Sequence, residues 1–146
     1  MRIRPARRDD FEAVRRLLAE LGRPAVSAQT EEDCRAVYEK QIFDPDTHHI
    51  LAEDDHGVIE FASVHFRARL NHPTEEVWVP DLIVTERARR RGVGRALLEE
   101  IEQRGRDRGC HVLQLESAYS RAEAHHMYRQ FKMRDLGKVF YKALRN

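Results

Sequence analysis

The stretch of sequence that decides the fold runs from Asp81 to Arg108 and reads DLIVTERARRRGVGRALLEEIEQRGRDR. It opens with the apolar run Leu82–Val84, which predicts a buried strand, and passes through an arginine-rich turn to Gly-Val-Gly at residues 92–94. Beyond this turn, apolar residues recur at four-residue spacing and predict a long helix with one apolar face: Val93, Leu97 and Ile101. The rest of the chain is arranged around this strand, turn and helix.

The turn between the predicted strand and helix has the features of a phosphate site. Small residues let the backbone bend tightly and leave N–H groups unpaired, and a helix N-terminus adds partial positive charge. Five arginines add fixed charge around the same point: Arg87, Arg89, Arg90, Arg91 and Arg95. The pattern predicts a diphosphate site. Two alternatives stay open: glycines that only permit a tight turn, and arginines that form a solvated face or contact nucleic acid.

Composition limits the class of protein. The 146 residues suffice for a buried core and contain no repeat or linker, so we expect one domain over residues 1–146. The formal net charge of +1 argues against a general polyanion binder, and we expect no nucleic-acid partner. Apolar runs are short and no signal peptide is recognisable, so we expect no membrane partner and a soluble, cytoplasmic protein. Cys34 and Cys110 form no CxxC pair and are expected to be reduced.

Periodicity along the chain predicts the order strand, two helices, three strands, helix, strand, helix and strand. The first strand is predicted at residues 2–6 and the last at residues 138–144, and Asp54–Gly57 predicts a hairpin turn between the second and third strands. A crossover helix after the fourth strand makes the fourth and fifth strands parallel neighbours. We therefore expect an α/β layout whose first half is mainly antiparallel.

Three local signals refine this layout. Pro80 lies inside the fourth predicted strand, where it cannot donate a hydrogen bond, so we expect a bulge or a gap in pairing there. Thr30 followed by Asp33 approximates a capping box and predicts the start of the second helix. In the third strand, strict alternation places Val58 and Glu60 on the same face.

The central stretch also carries a resemblance to a known family. The motif Arg89-x-x-Gly92-x-Gly94, placed between a strand and a long helix, resembles the acetyl-CoA signature of the GNAT N-acetyltransferases. The spacing from Val84, the last valine of the strand, to the first glycine is similar to that of the family. One such motif alone would be weak evidence.

Two further matches occur in the family's order and cover most of the remaining chain. The family's A-x-x-(apolar)-Tyr helix is matched by Ala124, Met127 and Tyr128, and the opening IRPA…D…V..LL pattern at residues 3–18 is similar to the family's N-termini. The Gly-Phe that usually follows the tyrosine is Lys132-Met133 in this chain, which puts the turn after the helix in question.

The resemblance implies the GNAT fold: a mixed, mostly antiparallel central sheet whose parallel fourth and fifth strands splay at the acetyl-CoA site, with helices on both faces. It implies an N-acetyltransferase that moves an acetyl group from acetyl-CoA to a primary amine of a small molecule or peptide by direct attack in a ternary complex. No cysteine stands near the motifs to argue for an acyl-enzyme step. The alternative is a non-catalytic acyl-CoA-binding or regulatory module. Because dimers are common in the family, the resemblance also allows a homodimer.

The resemblance further implies roles for individual residues. Tyr128 would protonate the departing thiolate, which is reasonable for a phenol with a pKa near ~10 beside a thiol with a pKa near ~8.5. The attacking amine must be neutral, so a base is needed, for which Asp81 is the first candidate and Glu116 the second. The implied cofactor-binding residues are Leu82, Ile83, Val84, Arg89, Arg90, Arg91, Gly92, Val93, Gly94, Arg95, Arg121 and Ala124.

Other interpretations of the same side chains stay open. Periodicity alone favours Tyr128 as a core tyrosine, and Asp81 and Glu116 are equally interpretable as structural or substrate-binding groups. Glu53 and Glu60, together with these two acids, are candidates for receiving a cationic amine.

Two histidine pairs, His48-His49 and His125-His126, raise the question of a metal site. Adjacent residues point to opposite faces of a strand and about 100° apart on a helix, so neither pair chelates well. We therefore expect no metal.

Overall fold

The computed structural model describes residues 1–22, 26–117 and 121–145. Within these residues the strands and helices follow in the order β1 (Arg2–Pro5), α1 (Phe11–Glu20), α2 (Glu31–Ile42), β2 (Thr47–Asp54), β3 (Gly57–Arg67), β4 (Glu76–Val84), α3 (Val93–Asp107), β5 (Val112–Leu115) and α4 (Ala122–Gln130). Contacts divide the chain into two compact units, Met1–Leu115 and Glu116–Asn146. None of the helices in the described ranges has both the length and the apolarity needed to cross a bilayer.

A five-stranded sheet runs through the first unit in the order β1-β2-β3-β4-β5. Neighbouring strands are antiparallel except for β4 and β5, which are parallel. Because α3 carries the chain back along the sheet, β5 can run in the same direction as β4. The predicted mixed, mostly antiparallel sheet with one parallel pair is confirmed.

Helices cover both faces of this sheet. Leu51 and Ala52 are consecutive in β2 and therefore point to opposite faces. Ala52 packs in a cluster with Val93 of α3. Leu51 packs in a different cluster, formed with side chains of α1 and α2: Phe11, Val14, Leu17 and Tyr38. The first two helices therefore lie on one face and α3 lies on the other.

A bulge in β3 changes the predicted assignment of faces. Ala52 lies opposite Glu60 and Glu53 lies opposite Val58, so Ile59 has no partner across β2. Ile59 packs in the cluster with α3, whereas Val58 packs against the cluster with α1 and α2. The prediction that Val58 shares a face with Glu60 is wrong, because the extra residue of a bulge interrupts strict alternation.

The second helix begins where it was predicted, but its cap differs. Thr30 immediately precedes Glu31, the first residue of α2, and its side chain makes no capping hydrogen bond to the helix. The Thr30 hydroxyl oxygen instead accepts a hydrogen bond from the Ser27 N–H at 3.1 Å. The predicted capping box with Asp33 is therefore wrong, because the preceding turn already engages the hydroxyl.

The strand predicted at residues 138–144 is not formed. In the described part of the chain, these residues have no strand structure and pair with no other strand. A strand requires a neighbour that completes its backbone hydrogen bonds, and apolar alternation alone does not supply one. Several large apolar side chains of this segment are exposed: Val139, Phe140, Tyr141 and Leu144.

Glu60 is a carboxyl group enclosed in the sheet. Its side chain is fully buried, and neither carboxylate oxygen has a hydrogen-bond partner. Burial raises the pKa of Glu60 to about 9, so the carboxyl is protonated at neutral pH. The prediction that Glu60 receives a cationic amine is therefore wrong. Glu53, another candidate for that role, forms an ion pair with Arg4 at 3.1 Å.

The turn after α4 forms a regular helix end in spite of the Lys132-Met133 departure. Lys132 has a φ of 68°, the left-handed conformation that usually requires glycine. The Met133 N–H donates to the Tyr128 carbonyl and the Lys132 N–H donates to the Arg129 carbonyl, each at 3.0 Å. These two bonds define a Schellman motif, so the lysine keeps the turn and carries backbone strain that a glycine would not.

We expect Glu60→Gln to remove a pH dependence of stability. The pKa of Glu60 in the folded state lies above its unfolded value of about 4.5. The contribution of Glu60 to the free energy of unfolding is therefore fully present below pH about 4.5 and is lost as pH rises towards about 9. As pH rises from ~5 to ~8, the wild type should lose stability relative to the variant by up to ~1.4 kcal/mol per pH unit. Urea unfolding at several pH values measures this, with the exposed Asp55→Asn as control. A constant difference between wild type and Glu60→Gln would contradict the assignment.

We expect Lys132→Gly to stabilise the protein by about 1 kcal/mol, because glycine adopts the left-handed conformation without strain. Thermal unfolding measures the change. Lys132→Ala is the matched control, since it removes the charge and the side chain but keeps the backbone strain. An equal gain in both variants would mean that the lysine side chain, and not its backbone conformation, is the cause.

Candidate functional site

The last residues of β4 form an open strand edge. The ladder between β4 and β5 ends at the pair Val79–Leu115, whereas the ladder between β4 and β3 continues as far as Val84. Residues 80–84 therefore extend beyond β5, with no strand beside that edge in the described first unit. Since a strand edge presents alternating N–H and C=O groups, an extended ligand is able to pair with this one.

Pro80 lies at the point where the two ladders separate. Asp81 pairs with Ser63 of β3, and Trp78 pairs with His65, which leaves two residues of β4 against one of β3. The bulge predicted at Pro80 is confirmed. Because proline has no N–H, it also cannot donate a hydrogen bond that would extend the ladder with β5.

The turn from β4 to α3 contains two left-handed residues. Arg90 has a φ of 64° and Gly92 a φ of 76°, and Gly92 is the N-cap of α3, which begins at Val93. Left-handed residues that alternate with ordinary ones gather backbone N–H groups into a concave anion site, and the first N–H groups of a helix have no partner within it. The first turn of α3 contains no acidic residue that would repel an anion.

The glycine at position 92 is explained by its backbone conformation. A Cβ built on Gly92 would meet no atom within 4 Å, so there is space for a side chain. Any other residue would, however, be strained by about 1–2 kcal/mol at this φ. Arg90 already carries such strain, and strained backbone tends to occur at ligand sites.

Most of the arginines around this turn are paired with acidic groups of the protein. Arg87 donates to both carboxylate oxygens of Asp54, at 2.7 and 3.1 Å, and holds the pKa of that carboxyl well below its usual range. Arg89 also donates through Nε to the Val84 carbonyl at 3.0 Å and so ties the turn to the end of β4. Much of the side-chain charge around the turn is therefore paired within the protein. The other ion pairs are Arg91 with Asp54, Arg89 with Glu20 and Arg95 with Glu99.

Asp81 lies just beyond the bulge, half-buried and opposite Ser63. The Ser63 Oγ and the His65 Nε2 are 2.8 Å apart. Burial lowers the pKa of His65, although the negative charge of Asp81 acts in the opposite direction. Ser63 and His65 are not among the residues that the sequence motifs indicate, although their spacing of two in a predicted strand places them on one face.

The remaining predicted site residues lie in the second unit. Glu116 follows the last residue of β5, and Arg121 is the N-cap of α4. Ala124 and Tyr128 are one turn apart and therefore share a face of α4. Tyr128 is 8% exposed. The roles of these four residues stay predictions.

His48 and His49 contact different side chains. The His48 Nδ1 lies 3.0 Å from an Arg104 nitrogen, whereas the His49 Nε2 lies 2.7 Å from the Gln41 Oε1. Within residues 1–22, 26–117 and 121–145, no three His, Cys, Asp or Glu side chains come together as possible metal ligands.

The structure is thus an α/β fold in which an open strand edge leads directly into a turn with two left-handed residues at the start of a helix. Comparison with protein families then gives the particular class. The model of the Acetyltransferase (GNAT) family matches residues 11–133, which is most of the chain and part of both units. The chain belongs to this family.

Individual relatives agree with this assignment. The aminoalkylphosphonate N-acetyltransferase of Salmonella typhimurium is 27% identical over 142 residues, which cover 97% of this chain and 90% of the relative. A transcriptional regulator from Bacillus halodurans C-125 superimposes with a TM-score of 0.85 at 20% identity, over 98% of this chain and 99% of that one. The aminoglycoside N-acetyltransferase AAC(6')-Iy in complex with CoA superimposes with a TM-score of 0.78 at 18% identity, over 99% and 100% of the two chains. The two structural likenesses show the fold.

Proposed function

We propose that this protein transfers an acetyl group from acetyl-CoA to a primary amine by direct attack in a ternary complex. The observation that carries the proposal is the open edge of β4 at residues 80–84, directly before the turn with left-handed Arg90 and Gly92. A ligand that fits this sequence of features has an extended amide-containing arm joined to a diphosphate. Coenzyme A has both parts.

The backbone of Leu82, Ile83 and Val84 holds the arm of the cofactor in this proposal. Strand edges bind extended ligands through alternating N–H and C=O groups, so recognition here depends on backbone and little on side-chain identity. The Arg89 side chain, which donates to the Val84 carbonyl, keeps the end of this edge in place. When bound, acetyl-CoA supplies the thioester whose acyl carbon the amine attacks.

The diphosphate is held by backbone N–H groups of residues 90–95. Gly92 and Gly94 keep this part of the turn free of side chains, and the N-terminus of α3 adds its partial charge. The side chains of Arg89, Arg91 and Arg95 surround the site and add long-range attraction for an anionic ligand. The CoA complex of AAC(6')-Iy, a structure with the same fold, supports this choice of ligand.

Asp81 receives the amine in this proposal. It lies immediately past the bulge at Pro80, at the start of the open edge, and a carboxylate there attracts an ammonium group and accepts a hydrogen bond from it. Glu116 remains the second candidate for the base. The amine must be neutral when the N–C bond forms, so one of these groups or a route through them has to accept its proton.

Tyr128 protonates the thiolate that leaves. A tyrosine hydroxyl is able to donate a proton to a thiolate, and the same face of α4 carries Ala124, another residue of the family motif. Arg121 at the N-cap of α4 is proposed to contact a phosphate of the cofactor.

The acceptor is proposed to be a small molecule with a primary amine. Two similar proteins support this class of acceptor: an aminoalkylphosphonate N-acetyltransferase and an aminoglycoside N-acetyltransferase. A peptide amine is the second class of acceptor, and a cytoplasmic location and a homodimer remain predictions. The non-catalytic alternative has lost its main support, because Lys132 forms the same kind of helix end that a glycine would form.

We expect Gly92→Ala to weaken acetyl-CoA binding by about 10-fold, because alanine disfavours the left-handed conformation by about 1–2 kcal/mol and binding must restore it. Calorimetric titration with acetyl-CoA measures the affinity. Gly109→Ala is a matched control at the other end of α3: its φ is 78° against 76°, and neither position has an atom within 4 Å of an added Cβ. Both variants should lose similar stability. An equal loss of affinity in both would remove the turn from the binding site.

We expect the wild type to release free CoA thiol with at least one member of a panel of aminoalkylphosphonates, aminoglycosides and peptide N-termini. Tyr128→Phe should then lower kcat by about 100-fold without changing acetyl-CoA affinity, because a proton donor to the leaving group is lost. Tyr141→Phe, an exposed tyrosine, is the control. Turnover of Tyr128→Phe equal to wild type across pH would exclude the acid role. Tight acetyl-CoA binding without thiol release on any amine would favour the regulatory alternative.

A further inference from the structure

A polar side-chain cluster lies beside Asp81 on the face of the sheet covered by α1 and α2. Phe61, Ser63 and His65 alternate along β3 and share a face, and Phe61 belongs to the core cluster of that face. Ser63 is the cross-strand partner of Asp81. Directly opposite residues of an antiparallel pair have Cβ atoms about 4.5–5.5 Å apart, so the side chains of Asp81 and Ser63 start from neighbouring points on the same face. Binding of the donor makes no use of these groups.

A hydrogen bond joins Ser63 and His65 within this cluster. The Ser63 Oγ and the His65 Nε2 are 2.8 Å apart. When the hydroxyl donates to a neutral imidazole, the serine oxygen still has lone pairs that accept a proton from a second donor. A water or an ammonium group held by Asp81 is such a donor. A proton can therefore pass from the neighbourhood of Asp81 through Ser63 to His65.

The surroundings of His65 keep its ring neutral and able to accept that proton. Burial is the main effect and lowers its pKa, Asp81 and Asp44 act to raise it, and Arg67 acts to lower it. From β2, the ring of His49 lies 6.2 Å away, and burial lowers the pKa of His49 to about 4, so that ring is uncharged. From α2, the neutral Gln41 engages the His49 Nε2 at 2.7 Å.

We propose that His65 accepts, through Ser63, the proton that the acceptor's ammonium group loses beside Asp81. In the complete reaction the N–C bond forms and the C–S bond breaks. The ammonium nitrogen gives up two protons in all, of which one goes to the departing sulfur and the other passes to His65 and then to solvent. Asp81 keeps its charge and holds the amine. This inference rests on the proposed acetyltransferase function and adds the proton route to it.

The pH profile of kcat/KM tests the proposal, with thiol release on a primary amine accepted by the wild type as the assay. We expect the wild-type profile to fall on its acidic side as His65 becomes protonated. His65→Gln should lower kcat/KM by about 100-fold near pH 7 and abolish this acidic limb, while acetyl-CoA affinity stays unchanged. Ser63→Ala should lower the rate in the same way. A folded His65→Gln variant that keeps the wild-type limb would overturn the proposal.

His48→Gln is the matched control for a lost histidine. His48 lies in β2 opposite Val64, contacts Arg104 of α3 and so belongs to the other face of the sheet. It should keep the wild-type pH profile. If it changes the limb as much as His65→Gln does, the effect comes from general damage to the sheet and the proposal is overturned.

Two measurements distinguish His65 from Asp81 as the group that accepts the proton. Asp81→Asn should raise KM for the amine and move the acidic limb to lower pH, because a charge that raises the pKa of His65 is removed. If Asp81→Asn instead abolishes the limb, Asp81 is the proton acceptor and the proposal fails. In His65→Ala, added imidazole should restore turnover, since it can occupy the space and accept the proton; no restoration in a folded variant would count against the route.

Failure of the proton route differs from failure of the proposed function. A wild type that acetylates amines while His65→Gln behaves normally contradicts only the route. A wild type that binds acetyl-CoA and releases no thiol with any amine contradicts the acetyltransferase function, and the route with it.

Discussion

The separation of β4 from β5 at Pro80 is the constraint on which the site depends. A strand that kept both neighbours would have all its backbone groups paired inside the sheet and none available to a ligand. Here β4 remains bonded to β3 as far as Val84, while the ladder to β5 ends at Val79. Proline lacks the N–H that would extend the ladder, and the bulge at the same point redirects the strand. The open edge therefore lies on a well-supported element of the fold.

The anion site next to this edge depends on backbone conformation more than on side-chain charge. The sequence concentrates arginines here, but acidic residues from α1, the end of β2 and α3 itself pair with most of them. The left-handed turn and the start of α3 present backbone N–H groups as well as these side chains. The paired arginines hold the turn in shape: Arg87 fastens it to Asp54, and Arg89 fastens it to the end of β4.

Two carboxyl groups of the same sheet show how position decides chemistry. Glu60 is enclosed in the sheet without a hydrogen-bond partner, and its charged form is disfavoured because nothing replaces the water that it loses. Asp81 lies past the bulge and is half-buried beside Ser63. Its negative charge acts to raise the pKa of His65. The first group is therefore a neutral part of the core, whereas the second lies at the start of the open edge and acts electrostatically on a neighbouring side chain.

The sequence by itself determined the order of the elements from β1 to α4 and the connection from Val84 to Gly92. Alternation, helical spacing and glycine at a turn are local properties, so they can be recognised in the sequence without knowledge of the fold. Only the tertiary structure decided which face Ile59 joins, that Glu60 is enclosed, and which acids the arginines meet. Register and burial depend on residues far apart in the chain, and one extra residue in a bulge reverses a face. Residues 138–144 show the same limit, because apolar alternation describes a candidate strand but only a paired neighbour makes it one.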